Sequence, residues 1–142
     1  MKIIVCVDDK LGMTFNHRRQ SMDSALRQKL IALCGMNTLW MNEYSAKQFK
    51  DETASNIQVD ENYLDKAGAN DYCFVEDQDI LPYADKIQEI ILCRWNRTYP
   101  ADTFLKIPGN AAEWQISVLE EFPGKSHKKL TLEKWRRKDY EN

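Results

Sequence analysis

Apolar residues fall into short continuous runs divided by polar segments. Lys2–Val7 (KIIVCV), Thr38–Met41 (TLWM), Asp71–Val75 (DYCFV) and Glu89–Cys93 (EIILC) are the clearest. Each is brief, rich in β-branched or aromatic residues and without helical period. Such runs predict strands buried on both faces. Met22, Leu26, Leu30 and Leu33 instead recur at helical spacing and predict a helix over 21–35. Ser21 is its expected N-cap and Gly35 its stop. Asp8 to Met13 is predicted as a loop, with Gly12 free to take positive φ. Asn56–Val59 alternates and predicts a short edge strand. Short helices are expected over 61–67, stopped by Gly68, and over 80–85. Pro100 excludes a helix interior and a central strand around it. Trp114–Leu119 and Lys129–Trp135 predict a closing hairpin. In its second strand Leu130, Leu132 and Lys134 share one face, opposite Thr131, Glu133 and Trp135. Residues 139–142 are expected to fray.

A length of 142 residues, 43% apolar and 30% charged, fits one globular domain over 1–142. No apolar run approaches the ~20 residues of a membrane span. The opening apolar run is too short for a signal peptide, and a cytoplasmic location is expected. Cys6, Cys34, Cys73 and Cys93 are widely spaced, three of them in apolar runs, and are expected as buried thiols. No CxxC or Cys/His spacing suits zinc, so no metal is expected. His17 and His127 are the only histidines and are expected as exposed loop residues, which leaves little material for a Ser-His-Asp site. Phosphate-loop and dinucleotide glycine motifs are absent from the sequence. The net charge of −2 hides an asymmetry. Acids dominate 51–89, while Lys125, Lys128, Lys129, Lys134, Arg136, Arg137 and Lys138 crowd the C-terminal part. That part forms either a solvated face or a basic edge for an acidic partner. No aromatic-basic motif suggests nucleic acid.

The order from Glu89 to Phe122 carries a resemblance. A strand is followed by Asp102-Thr103-Phe104, a loop, a strand beginning at Trp114, and the turn Glu120-Glu121-Phe122. This resembles the C-terminal half of dihydrofolate reductases, and Lys2–Val7 followed by Asp8 and Gly12-Met13 is similar to their opening. The resemblance implies an α/β, three-layer dihydrofolate-reductase-like fold. A mixed, mainly parallel central sheet is flanked by helices and ends in a C-terminal antiparallel hairpin, with a shortened middle. It also implies sites. Asp23 matches the carboxylate at the family's pterin pocket; as a plain structural feature it is a first-turn helix acid. Cys93 replaces the Thr that bonds that carboxylate, and a thiol is a weaker donor. The cofactor positions are occupied by Asn42 and Glu43, where the family has Gly and the Arg that pairs with a phosphate, and by Ser45, which keeps a hydroxyl. Glu76 and Asp77 stand where consecutive glycines cradle the pyrophosphate; they also suit a helix start. Arg18-Arg19-Gln20 replaces Leu-Pro-Trp, and Arg27 replaces an aromatic that packs on the substrate. Asp102 and Thr103 match the family and equally suit turn chemistry.

The function implied is a diverged dihydrofolate-reductase-like protein, a pseudoenzyme that has lost NADPH and binds a small molecule or a protein. The alternative is an NADPH-dependent dihydrofolate (pterin or pyrimidine) reductase with an unusual cofactor grip and Asp23 as its acid. A third possibility is an interaction module that uses the basic C-terminal strand.

Overall fold

The four apolar runs become neighbouring strands of one sheet. A computed structural model describes residues 1–138, so the expected frayed tail at 139–142 lies outside the described residues. In chain order the elements are β1 (Lys2–Val7), β2 (Gly12–Phe15), β3 (Arg18–Arg19), α1 (Ser24–Cys34), β4 (Leu39–Met41), α2 (Glu43–Ala46), β5 (Ile57–Val59), α3 (Tyr63–Lys66), β6 (Tyr72–Val75), β7 (Glu89–Arg94), β8 (Thr103–Phe104), β9 (Trp114–Phe122) and β10 (Leu130–Arg137). The seven-stranded sheet runs β5-β4-β6-β1-β7-β10-β9. It is parallel from β5 to β7 and antiparallel through β10 and β9. A small second sheet joins β3, β2 and β8.

The register explains the unbroken apolar runs. β1 lies between β6 and β7, with Ile3 beside Cys73 and Ile90 and Ile4 beside Phe74 and Ile91. Ile3, Val5, Val7, Ile90 and Leu92 face one core, with Tyr63 and Leu64 of α3, Leu105 and Trp114. Ile4, Ile91 and Cys93 face the other, under Leu26, Leu30 and Cys34 of α1. Successive residues thus serve opposite layers and none can be polar. Each fully buried Ile or Leu contributes about 1.5–3 kcal/mol of apolar transfer.

Several expectations change in detail. The helix begins at Ser24 and is capped by Asp23, so Ser21 and Met22 lie outside it and Met22 is exposed. Its buried stripe is Leu26, Leu30 and Cys34. The expected helix at 80–85 is a 3-10 turn over Leu81–Lys86. Gly12 starts β2, and the left-handed residue of that loop is Leu11, at φ 64°. Gly12 is needed for space: a Cβ there would lie 2.7 Å from Ala101 Cβ and from an Asp8 carboxylate oxygen. The basic strand β10 is not an edge, because β9 lies outside it. Lys129 and Lys134 pair with Glu121 and Glu89, and Arg137 stacks on Trp114. The cysteines are free thiols, three of them buried and Cys6 partly so, and burial pushes Cys34 and Cys73 up to about 12.

Candidate functional site

The parallel strands β1, β4, β6 and β7 all end on one side of the sheet. The segment 8–23 and the loop between β9 and β10 fold over that side. Two buried carboxylates organise it.

The first is Asp23. As the N-cap of α1 its Oδ1 accepts from Ala25 N at 2.9 Å and Leu26 N at 3.3 Å. The β9–β10 loop crosses the same side chain. Lys125 N donates to Oδ1 at 3.1 Å and Ser126 N to Oδ2 at 2.8 Å. His127 Nδ1 reaches Oδ2 at 3.0 Å. Gly124 allows this passage, since a Cβ there would collide with the Asp23 carboxylate. Burial pushes the Asp23 carboxyl up, but His127 and the N–H groups of Ser126, Lys125 and Leu26 outweigh it. The group is held well below the usual carboxylate range.

His127 is therefore not an exposed loop residue. It is buried and stacked on Trp95, with ring centroids 4.7 Å apart. With Asp23 ionised, Nδ1 carries the proton. In the neutral ring Nε2 is left as acceptor for the hydroxyls of Ser21 at 3.0 Å and Tyr99 at 3.2 Å. Ser21, His127 and Asp23 thus share the connectivity of a hydrolase triad. Yet the two spaces that Ser21 lines are each about 10 Å³, room for about one water and none for an acyl substrate. Here the chain of bonds fastens a loop.

The second carboxylate is Glu76, buried at the end of β6. Arg19 Nε donates to Oε2 at 2.8 Å and Arg19 Nη2 to Oε1 at 3.0 Å, a bidentate pair. Ser45 Oγ donates to Oε1 at 2.7 Å. The guanidinium also lies over the Tyr44 ring, 4.3 Å from its centroid, and donates to Tyr44 O. Glu76 is not a helix cap, because the 3-10 turn after β6 starts only at Leu81. Arg19 thus arrives from the β1–α1 segment and seals the gap between β6 and α2.

The other predicted positions divide. Asn42 caps α2 by accepting from Ser45 N at 3.0 Å. Glu43 is exposed in the first turn of α2, and Glu61 accepts from its backbone N–H. Asp77 is exposed as a residue, although burial of its carboxyl and the Glu76 charge push its pKa up. Cys93 lies opposite Cys6 across the strand pair. Hydrogen bonding to Cys93 and burial push the Cys6 thiol well up. The structure brings together Asp23 with His127, and Glu76 with Ser45 and Arg19. Arg27 pairs with Glu52 and lines the small cavity that Asp23 and Glu76 also border.

His127 and Tyr99 had no signal in the sequence. Arg19 and Glu76 were each singled out in the sequence, but nothing local showed that the two meet. Among the described residues, no group of three or more His, Cys, Asp or Glu is placed to hold a metal ion. No described helix is long and apolar enough to cross a membrane.

A mainly parallel seven-stranded sheet with helices and an antiparallel terminal hairpin defines a dihydrofolate-reductase-like fold. No protein-family model matches the sequence, and a search of curated proteins finds no match. Among solved structures, the chain is similar to dihydrofolate reductase from Enterococcus faecalis, described as complexed with NADP(H) and RAB-propyl. The match covers 97% of this chain and 96% of that one, at 12% identity and a TM-score of 0.65. This is a likeness of fold.

Proposed function

We propose that this protein is a diverged dihydrofolate-reductase-like binding module that does not use NADPH. The observation that carries the reading is the Glu76 carboxylate at the end of β6, buried and clamped by Arg19 and Ser45. A dinucleotide pyrophosphate does not fit these residues. Its binding needs bare N–H groups and a positive dipole end. Here it would meet the Glu76 side chain, already paired with Arg19, in place of bare N–H groups. It would also have to displace Arg19. Glu43 adds a second negative charge, and the Asn42 side chain is already engaged as a cap. On the substrate side Asp23 has both oxygens engaged by five donors, which leaves little capacity to bind or protonate a pterin. The ligand of the module is a small molecule or a protein.

The test is a titration with NADPH followed by tryptophan fluorescence, since Trp95 lines the small cavities beside Glu76. No saturable quenching in the micromolar range is expected from the Glu76 side, and micromolar saturation there would overturn the reading.

A further inference from the structure

We infer that the groove between the end of β7 and the β9–β10 loop binds a small multivalent anion through its phosphate or carboxylate groups. The inference goes beyond the proposed function and does not depend on it. The groove encloses about 550 Å³, within the range of small-molecule pockets. It lies across His127 from Ser21 and Glu76, which do not line it. Trp95 and His127, stacked on each other, form its floor. Arg97, Lys128 and Lys129 line its walls, and among the described residues no carboxylate does.

Three further features distinguish it from a loose patch of surface lysines. First, both walls have fixed backbones. Asn96, in the left-handed region at φ 60°, donates through Nδ2 to Lys129 O at 3.1 Å and Thr131 Oγ1 at 3.0 Å. This ties the exit of β7 to the entry of β10. Arg97 O accepts from Asp9 N, and Asp8 accepts from Tyr99 N. On the opposite wall Asp23 fixes the backbone of Lys125 and Ser126. Second, the cations are poorly neutralised. Arg97 lies over the Tyr99 ring, 5.4 Å from its centroid. Lys129 has only the exposed Glu121 at 3.3 Å, a weak pair that an anion can replace. Third, both ring nitrogens of His127 are engaged on its buried side, so recognition falls to the three cations. A compact anion with two or more charges can meet more than one of the cations that line the groove, which a monovalent ion does less well.

Isothermal titration calorimetry with inorganic pyrophosphate and with citrate tests this. Saturable, salt-sensitive binding is expected with Kd below about 1 mM. It should weaken at least tenfold in the double variant R97E/K128E, whose sites are exposed, and stay unchanged in K47E/K106E, which carries the same charge change elsewhere. A melting curve for each variant confirms that it is folded. Pyrophosphate alone binding assigns phosphate recognition, citrate alone assigns carboxylate recognition, and either supports the site. No saturable binding of either up to about 10 mM, or equal loss in both double variants, would overturn it. Tighter binding of an oligothymidylate than of pyrophosphate would also overturn it, in favour of nucleic acid. Trp95 borders both places and NADPH carries phosphates, so the NADPH titration is also run in R97E/K128E. Micromolar quenching that persists there reports on the Glu76 side and overturns the proposed function, whereas quenching lost there reports on the groove.

Discussion

Asp23 and Glu76 are both buried carboxylates that fasten a loop over the strand ends, but they are held in different ways. Four of the five donors to Asp23 are backbone N–H groups, two from α1 and two from the β9–β10 loop. All three bonds to Glu76 come from side chains, two from Arg19 and one from Ser45. A backbone donor remains whatever residue carries it, so the demand for an acceptor at position 23 is written into the chain path. A side-chain donor can be removed together with its acceptor. The Asp23 region is therefore architectural and the Glu76 region is exchangeable.

The largest expected effect tests the architectural half. Asp23→Ala removes a helix cap and leaves buried N–H groups and His127 without an acceptor, a loss of about 4 kcal/mol in urea unfolding. No second substitution at His127 should restore more than a small part of it, because the loop and helix N–H groups persist. Recovery of most of the stability in Asp23→Ala/His127→Leu would break the comparison.

Next in size is Arg19→Ala, which leaves Glu76 buried and uncompensated at about 3 kcal/mol. Here rescue is expected: Glu76→Gln in the same chain should return most of the loss, since it removes the stranded charge. Equal stability of the single and double variants would show that Glu76 is not the source of the cost.

The smallest effect is a dependence on acid. The Asp23 carboxyl is held below its usual range in the folded chain. The unfolded chain therefore takes up this proton first as pH falls. The stability that Asp23 supplies is fully present above the ordinary Asp pKa of about 3.9. Below it the loss runs at up to about 1.4 kcal/mol per pH unit. The stability gap between wild type and Asp23→Asn should narrow as pH falls below about 4. A gap that stays constant into acid would show that Asp23 is not ionised in the fold.

Much of the scaffold was legible. The apolar runs marked β1, β4, β6 and β7 because strands buried on both faces cannot alternate. The short β5 and α3 and the terminal hairpin also follow from local pattern. The precise start of α1 was not legible, since Ser21 and Asp23 are both good caps and packing chose between them. Asp23, Ser45 and Glu76 were singled out in the sequence from the family resemblance, and the structure shows what each is bonded to. Their partners were missed: His127 is 104 residues from Asp23, and Arg19 is 57 residues from Glu76. No local pattern encodes a contact of that separation.

The sequence by itself determined the strands of the main sheet and their order, because each follows from hydrophobic pattern and turn chemistry over a few neighbouring residues, whereas the small sheet of β2, β3 and β8 was not read from it. The tertiary structure alone decided that His127 is buried against Asp23, that Arg19 closes over Glu76, and that Arg97 meets Lys128 and Lys129 around one groove. Charges distant in sequence gain meaning only when the sheet brings loops from both ends of the chain together, where low solvent access makes each unpaired group costly.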